Sequence, residues 1–592
     1  MQLRAPSVTD GYKLSHASMY ADGTTKVYSN LTPRSDKIYR RNCTQFYDGK
    51  LVWVGAQGAV QEIKELWDDF FCTEKEVVVN RFARRMAGYL GGFDPAVKVI
   101  AELHDIGYLP LTFKSLPEGS KVSMGVPVIT VTNTLPQFYW LVNYLETVIS
   151  DLTWKTATNA TIAAEYKAIC KHYAELTGTD DFTVSIQCHD FSMRGMSGPE
   201  DAARSGFAHL TSFIGTDTLP AMDYAEDYYD ADPDSLIAIS VPATEHAVAT
   251  SNILGLRQRF AGKAEGNSMS LLVAEQLFMK DLITRKFPTG IVSYVADSYD
   301  FWGVLTDVLP ALRDVIVARE ASAVAPGKLV IRPDSGDPVQ VICGTLEGAF
   351  ATLDEAIEEI NEAHYKAASE ACEGSYNMGN DEYTSTVYVK DEAKYYELST
   401  KFEYNRHDKQ YYYIDNYSSD AGKTIAKQIE PTPEQKGAIQ LLWETFGGTE
   451  TDKGYKLLDS HIGLIYGDSI TTKRAEEILR RLADRGFASG NIVFGVGSYT
   501  YQCNTRDTFG FAVKATYTEV GEEGIAIFKD PKTDSKKKSA KGLLMVAKQD
   551  GEYMLVDDVN SVREASGWLE TIFEDGKFVR RTTLDEIRAR IA

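Results

Sequence analysis

The chain has 592 residues, 44% hydrophobic and 25% charged, which are the proportions of a folded protein long enough for several domains and exclude a disordered or fibrous one. Its 62 basic and 84 acidic side chains leave a net charge of −22, which argues against a nucleic-acid partner because the mean field repels phosphate. Seven scattered cysteines, an odd number with no C-x-x-C pair, support neither a zinc cage nor a disulfide framework.

The opening MQLRAPSVTDGYKLSH holds no apolar core of signal-peptide length, and no later run approaches the roughly 18 apolar residues of a membrane span. The sequence therefore predicts a soluble, cytoplasmic protein with no membrane partner. Through residue 150, short β-like runs (KVYSNL, LVWVGA, LPLTFKSL, VPVITVTN) mix with amphipathic helical stretches such as AVQEIKELWDDFF. From 137, QFYWLVNYLETVIS places aromatics at helical spacing and predicts a helix packed in a core or at a subunit contact. From 151 to 343, strand-like runs alternate with helix-like segments, the rhythm of repeated β-α units and a parallel sheet or barrel. Residues 344–430 break that rhythm with a Tyr-rich, charged composition, and predict an inserted subdomain that is structural or regulatory rather than catalytic. The rhythm resumes over 431–500. Residues 501–592 return to β-like runs, with a hairpin signal at Asp575-Gly576 and a capping-box pattern from Thr583 to Glu586. The expected fold class is α/β: an irregular or incomplete β/α barrel (151–343 and 431–500), a second β-rich α+β domain built from both termini (1–150 and 501–592), and the insert.

Six apolar runs, SIQCHDFSMRG, LIAISVPATEH, IVSYVADSYD, KLVIRPDSGDP, IGLIYGDS and NIVFGVGS, each stop at a glycine or charged cluster. Polar residues gathered at one end of successive parallel strands mark the end where chemistry happens. That places Arg194, His246, Asp297, Arg332, Asp334 and Asp468 together as candidates. Gly467-Asp468 and Gly495-Val496-Gly497-Ser498 sit at strand-to-helix turns, where exposed amides and the helix dipole suit phosphate, and Asp468 suits ribose hydroxyls. The run of lysines at 529, 532, 536, 537, 538 and 541 reads either as a local anion field or as a solvated loop.

Taken in order, HDFSMRG, GTDTLPA, SVPATEH, ADSYD, IRPDSGDP, IYGDS, FGVGS with TRD, and FKDP before the lysines resemble the nicotinamide phosphoribosyltransferases of the type II phosphoribosyltransferase family. TDGYKLSH and TPRSD match that family's amino-terminal segment, so the likeness covers nearly the whole chain except the insert. It implies displacement of pyrophosphate from C1 of 5-phosphoribosyl-1-pyrophosphate by nicotinamide, giving nicotinamide mononucleotide for NAD synthesis. By the same resemblance, Phe191 and a partner subunit's copy of Tyr12 sandwich the pyridine ring, with Asp10 and Arg332 also at the nicotinamide site. Asp217 would accept from the carboxamide and repel the carboxylate of nicotinate. Arg194, Arg332, Arg34, Lys514, Lys529 and His246 would contact diphosphate, and Pro333, Asp334, Gly467, Asp468, Gly497, Ser498 and Arg506 would hold the ribose and its phosphate. Catalytic roles fall to His246, Asp297 and Asp334. His246 matches the family's phosphorylated histidine, which couples ATP hydrolysis to product formation. The two aspartates would orient pyrophosphate-bound Mg²⁺, the ribose hydroxyls or the histidine, a division left open. Implied partners are the small-molecule substrates, ATP with Mg²⁺, and a second copy of the chain in a homodimer with shared sites.

Two positions depart from the family pattern: Ser498 stands where a third glycine is common, and Ala512 where serine is. The competing readings are nicotinate phosphoribosyltransferase on the same architecture and a non-catalytic binding protein that keeps the fold.

Overall fold

The computed structural model describes residues 3–261, 269–349, 381–391, 394–405, 410–413, 425–467, 469–529 and 539–592. It divides into one unit of Met1–Ala168, His189–Ser240 and Gly497–Ala592, and another of Ile169–Cys188 and Val241–Val496.

In the first unit, chain segments hundreds of residues apart pair in one seven-stranded sheet. Its order is Glu523–Ala526, Ala512–Val520, Thr24–Thr32, Ile129–Asn133, Leu111–Ser115, Glu570–Glu574, Lys577–Phe578. The pairs are antiparallel, with Asn30 opposite Lys514 and Phe113 opposite Phe573. The β-rich parts of both termini thus fold together, as their composition predicts. A helical core lies in the same unit. Phe207, on the helix Pro199–Leu210, stacks on Tyr229 at 4.1 Å, and Leu584 and Ile587 of the terminal helix Leu584–Ile591 join the same buried cluster. The aromatic segment from 137 is packed in a core: Phe138, Trp140 and Tyr144 are buried, and the Trp140 and Tyr144 rings meet edge-on at 5.2 Å.

The hairpin signal is realised with Asp575 and Gly576 both at positive φ, 46° and 81°. The capping box is only half formed. Thr583 accepts from the Glu586 amide, but the Glu586 carboxylate takes the Thr582 hydroxyl at 2.6 Å instead of reaching back to the cap.

The second unit carries the parallel β/α sheet, with Ile291–Val295, Lys328–Arg332, Ile462–Tyr466 and Ile492–Val496 adjacent in that order. Such strands are covered on both faces, which is why they read as near-continuous apolar runs; Tyr294, Leu329, Ile331, Ile462, Phe494 and Val496 are all buried. Two of the six predicted strands differ. The first is only Cys188–Asp190, because Asp181–Ile186 is helical, started by Asp180 accepting from the Thr183 amide. Residues 236–246 form isolated bridges, Ile239 to Gly215 in the first unit and Ala243 to Ser293 in the second. Pro242 lies between them and has no N–H with which to continue a ladder.

Within 344–430, the strands Leu346–Ala349, Asp381–Asp391, Lys394–Asn405, Gln410–Tyr413 and Ile425–Ile429 form a separate sheet. Asp381–Asp391 and Lys394–Asn405 pair antiparallel without a register break. Among the described residues no helix is long and apolar enough to cross a membrane, and the six described cysteines form no disulfide with one another.

Candidate active site

In the first unit the Cys188–Asp190 strand delivers His189, Phe191 and Arg194, and the neighbouring parallel strand Gly215–Thr216 delivers Asp217. The Asp217 amide donates to the Asp190 carbonyl at 2.9 Å, and the Asp190 carboxylate accepts from the Ser192 amide at 2.9 Å, so one residue ties both turns. Asp217 Oδ1 receives two side-chain donors, His189 Nε2 at 2.9 Å and Ser240 Oγ at 2.6 Å. The His189 ring lies 4.8 Å from that of Phe191, inclined by 47°. Phe191 is half-buried and Arg194 exposed. Gly195 is required by close approach: a Cβ there would stand 2.1 Å from Ser498 Oγ and 2.4 Å from its Cβ. The Ser498 side chain is thus accommodated by a glycine opposite it.

In the second unit the strand Ile291–Val295 leads to Asp297 and Ser298, Lys328–Arg332 leads to Pro333 and Asp334, and the helix His246–Ala261 begins at His246 itself. The imidazole is 46% exposed, with Nδ1 3.2 Å from Ser298 Oγ and Nε2 3.7 Å from Asp297 Oδ1 and 3.8 Å from Asp334 Oδ2. Asp297 is almost wholly buried. Its Oδ2 accepts from the Asp334 amide at 3.0 Å, while Oδ1 has no hydrogen-bond partner. Arg332 Nη2 reaches the Thr244 carbonyl at 3.4 Å, and its Nε is buried without a partner. Behind this cluster Glu275, fully buried, accepts from the Tyr294 hydroxyl at 2.9 Å. Burial pushes its carboxyl up to about 7, helped by the charges of Asp300 and Asp297 and opposed by the Tyr294 hydrogen bond.

The remaining candidates fall as follows. Tyr12 is 61% exposed. Asp10 accepts from the Thr147 hydroxyl at 2.7 Å and, with Arg506, lines a first-unit cavity of about 340 Å³ that also includes Glu146 and Trp154. Arg34 Nε donates to the Gly510 carbonyl at 2.8 Å, while Lys514 and Lys529 are exposed. Gly497 and Ser498 open the short helix Ser498–Gln502. Gly467 follows its strand in the second unit; Asp468 lies outside the described residues, as do Lys532, Lys536, Lys537 and Lys538. Lys541 pairs with Asp558 at 2.7 Å, and Ala512 is buried opposite Thr32.

Sequence reasoning missed His189, Ser240, Ser298 and Glu275. The first three lie inside runs it singled out, and the alternation of a strand was the available signal for His189, which shares a face with Phe191. Glu275 gave none, being one acidic residue in an apolar helix.

Comparison with known proteins completes the description. The model of the nicotinate phosphoribosyltransferase (NAPRTase) family matches residues 186–370 and 356–577. A curated nicotinamide phosphoribosyltransferase of Acinetobacter baylyi is 43% identical over 586 residues, spanning 98% of this chain and 96% of the relative. The nicotinamide phosphoribosyltransferase of Mycoplasma pneumoniae is 30% identical over 551 residues, 90% of this chain and 93% of its own. Among solved structures, human nicotinic acid phosphoribosyltransferase covers 98% of this chain and 92% of its own at 14% identity and a TM-score of 0.46.

Proposed function

We infer the work of the two clusters from one premise: the chain belongs to the nicotinate phosphoribosyltransferase (NAPRTase) family. Its reaction is that of a nicotinamide phosphoribosyltransferase in NAD salvage, the name carried by relatives alike over nearly the full chain. The ring nitrogen of nicotinamide attacks C1 of 5-phosphoribosyl-1-pyrophosphate, the C1–O bond breaks, and pyrophosphate leaves with the electron pair.

The observation that carries the choice of the amide is Asp217, a half-exposed carboxylate linked through His189 to the ring of Phe191. A carboxylate accepts from a carboxamide N–H and repels a second carboxylate, so the same side chain attracts nicotinamide and rejects nicotinate. Phe191 supplies one stacking face for a ring that becomes cationic on reaction, and Tyr12 of a second copy the other, with Asp10 beside it. Homodimerisation, supported by the exposure of Tyr12, Arg34, Lys514 and Lys529, would bring that positive field to diphosphate. Arg194 and Arg332 take the diphosphate, where a planar fork binds better than lysine. Gly467, Asp468, Pro333, Gly497, Ser498 and Arg506 take the ribose and its 5-phosphate. The protein works in the cytoplasm with no membrane or nucleic-acid partner.

His246 is the acceptor for the γ-phosphoryl group of ATP. In the tautomer whose Nδ1–H donates to Ser298, Nε2 keeps its lone pair, attacks phosphorus and releases ADP; water later cleaves the N–P bond. Asp297 Oδ1, buried and unpartnered beside Asp334, fits a hard cation that shares its ligands with phosphate, and no three-ligand protein cage exists among the described residues. Mg²⁺ bound there would neutralise phosphate charge. Asp297 and Asp334 would hold it, and Asp297 also fixes the Asp334 amide.

The test is formation of nicotinamide mononucleotide and pyrophosphate by the full chain with ATP and Mg²⁺, with kcat/KM compared for the amide and the acid. Preference for nicotinate, or no turnover of either, overturns the reading.

A further inference from the structure

Asp217 lies beyond the two-residue strand Gly215–Thr216, where no ladder fixes its side chain, and 49% of that side chain is exposed. A carboxylate so placed has several rotamers open to it, yet discrimination between an amide and an acid demands one orientation. Two donors meet on the same oxygen, His189 Nε2 at 2.9 Å and Ser240 Oγ at 2.6 Å. The two are not alike. Ser240 is exposed, whereas His189 is buried in a strand paired with Gly215. Its ring also touches Phe191, at 4.8 Å. One imidazole therefore contacts both side chains that are assigned to the base.

We propose that His189 is a specificity-determining positioning residue: its Nε2–H fixes the Asp217 carboxylate and so sets the preference for the amide over the acid. The inference rests on the function proposed above. A carboxylate only accepts, so Nε2 carries the donated proton. A donated hydrogen bond leaves the negative charge on Asp217, which is what repels nicotinate. His189 touches neither leaving group nor ribose in this scheme, so its loss should act on binding of the base rather than on bond breaking.

Two substitutions in the full-length chain separate the donor from the ring. His189→Phe keeps an aromatic against Phe191 and removes the donor; His189→Gln keeps a donor and removes the ring. Steady-state kinetics with nicotinamide and nicotinate should give an amide-to-acid ratio of kcat/KM that falls about tenfold in His189→Phe, through a raised KM for nicotinamide with kcat nearly unchanged. In His189→Gln the ratio should stay within about threefold of wild type. A wild-type ratio in His189→Phe overturns the inference, as does an equal fall in both variants, which would assign the effect to packing. Should His189→Phe not fold, as judged by its melting temperature, His189→Leu removes the same donor without the aromatic ring: a lowered ratio relative to His189→Gln supports the inference, and a wild-type ratio overturns it. A wild-type chain that prefers nicotinate overturns the proposed function itself and this inference with it, a result distinct from any variant's behaviour.

Discussion

The two clusters hold their acidic groups in opposite ways. In the first unit the carboxylate of Asp217 is half exposed and gripped at 2.6 and 2.9 Å by Ser240 and His189. In the second unit Asp297 is buried, His246 is exposed, and their nitrogen and oxygen stand 3.7 Å apart, too far for a hydrogen bond. Short bonds fix an orientation before any ligand arrives, which suits a residue whose task is discrimination and whose charge does not change during turnover. Loose contacts would leave room for the phosphate that the proposed function places on His246, and a buried Oδ1 without a hydrogen-bond partner would suit charge arriving with a ligand. On the function proposed above, the first arrangement suits selection and the second suits a charge that changes.

His246→Ala would break this contrast most severely. ATP hydrolysis should fall to background, while nicotinamide mononucleotide formation without ATP stays within about threefold of wild type, because the proposed function uses the loosely held group for coupling and not for the transfer itself. ATPase and transferase assays on the same preparation decide the matter; hydrolysis at the wild-type rate would remove His246 from the coupling role. Next in size is Asp217→Asn, which keeps the shape and loses the charge. The amide-to-acid ratio of kcat/KM should drop about 100-fold, since the substitution removes the like-charge repulsion of nicotinate. Competition between the two substrates measures it, and an unaltered ratio would place discrimination elsewhere.

Gly195→Ala sharpens the claim that the first cluster is tightly set. The added methyl would stand 2.1 Å from Ser498 Oγ, an overlap that should cost about 1–3 kcal/mol in chemical unfolding. Ser498→Gly in the same chain should return most of that loss, a coupling expected only of residues in contact. A Gly195→Ala protein as stable as wild type would mean the turn yields easily and is not preset.

Much of this was legible in the sequence because buried parallel strands leave a strong trace. Apolar runs ending in IRPD or ADSY announce both the strand and the residues it delivers, and Arg332, Asp334 and Asp297 lie where those runs end. Similar composition indicated that the two terminal β-rich parts fold together, but not that Thr24–Thr32 pairs with Ala512–Val520, since no periodicity encodes which distant strand a strand will join. What escaped were residues whose role depends on a partner elsewhere in the chain. His189 gains its meaning only from Asp217, 28 residues on. The run at 236–246 misled because its apolar pattern is that of a strand while Pro242 denies it the ladder. Glu275 looks like any helical carboxylate until Tyr294 is placed against it.

Glu275 also yields the smallest predicted effect, one read as a slope rather than a loss. Its carboxyl, pushed up to about 7 chiefly by burial, keeps its proton in the fold at pH values where the unfolded chain has released it. Between the ordinary glutamate range near 4.5 and about 7 the folded state therefore binds more protons than the unfolded one, and stability must fall as pH rises through that window. Below it both states are protonated and above it both are ionised, so the contribution is flat at either end. Glu275→Gln, neutral at every pH and able to accept from Tyr294, should remove this part of the slope and leave the melting temperature near pH 5 close to wild type. The same window bears on the second cluster, because ionised Glu275 adds negative charge to the surroundings of Asp297 and Asp300. ATP coupling should then vary less with pH between about 5.5 and 7.5 in Glu275→Gln than in wild type, around the shifted value near 7. Melting curves and ATPase rates across that range measure both, and a variant that keeps the wild-type slope in each would show that Glu275 is ionised throughout and that the second cluster does not sense it.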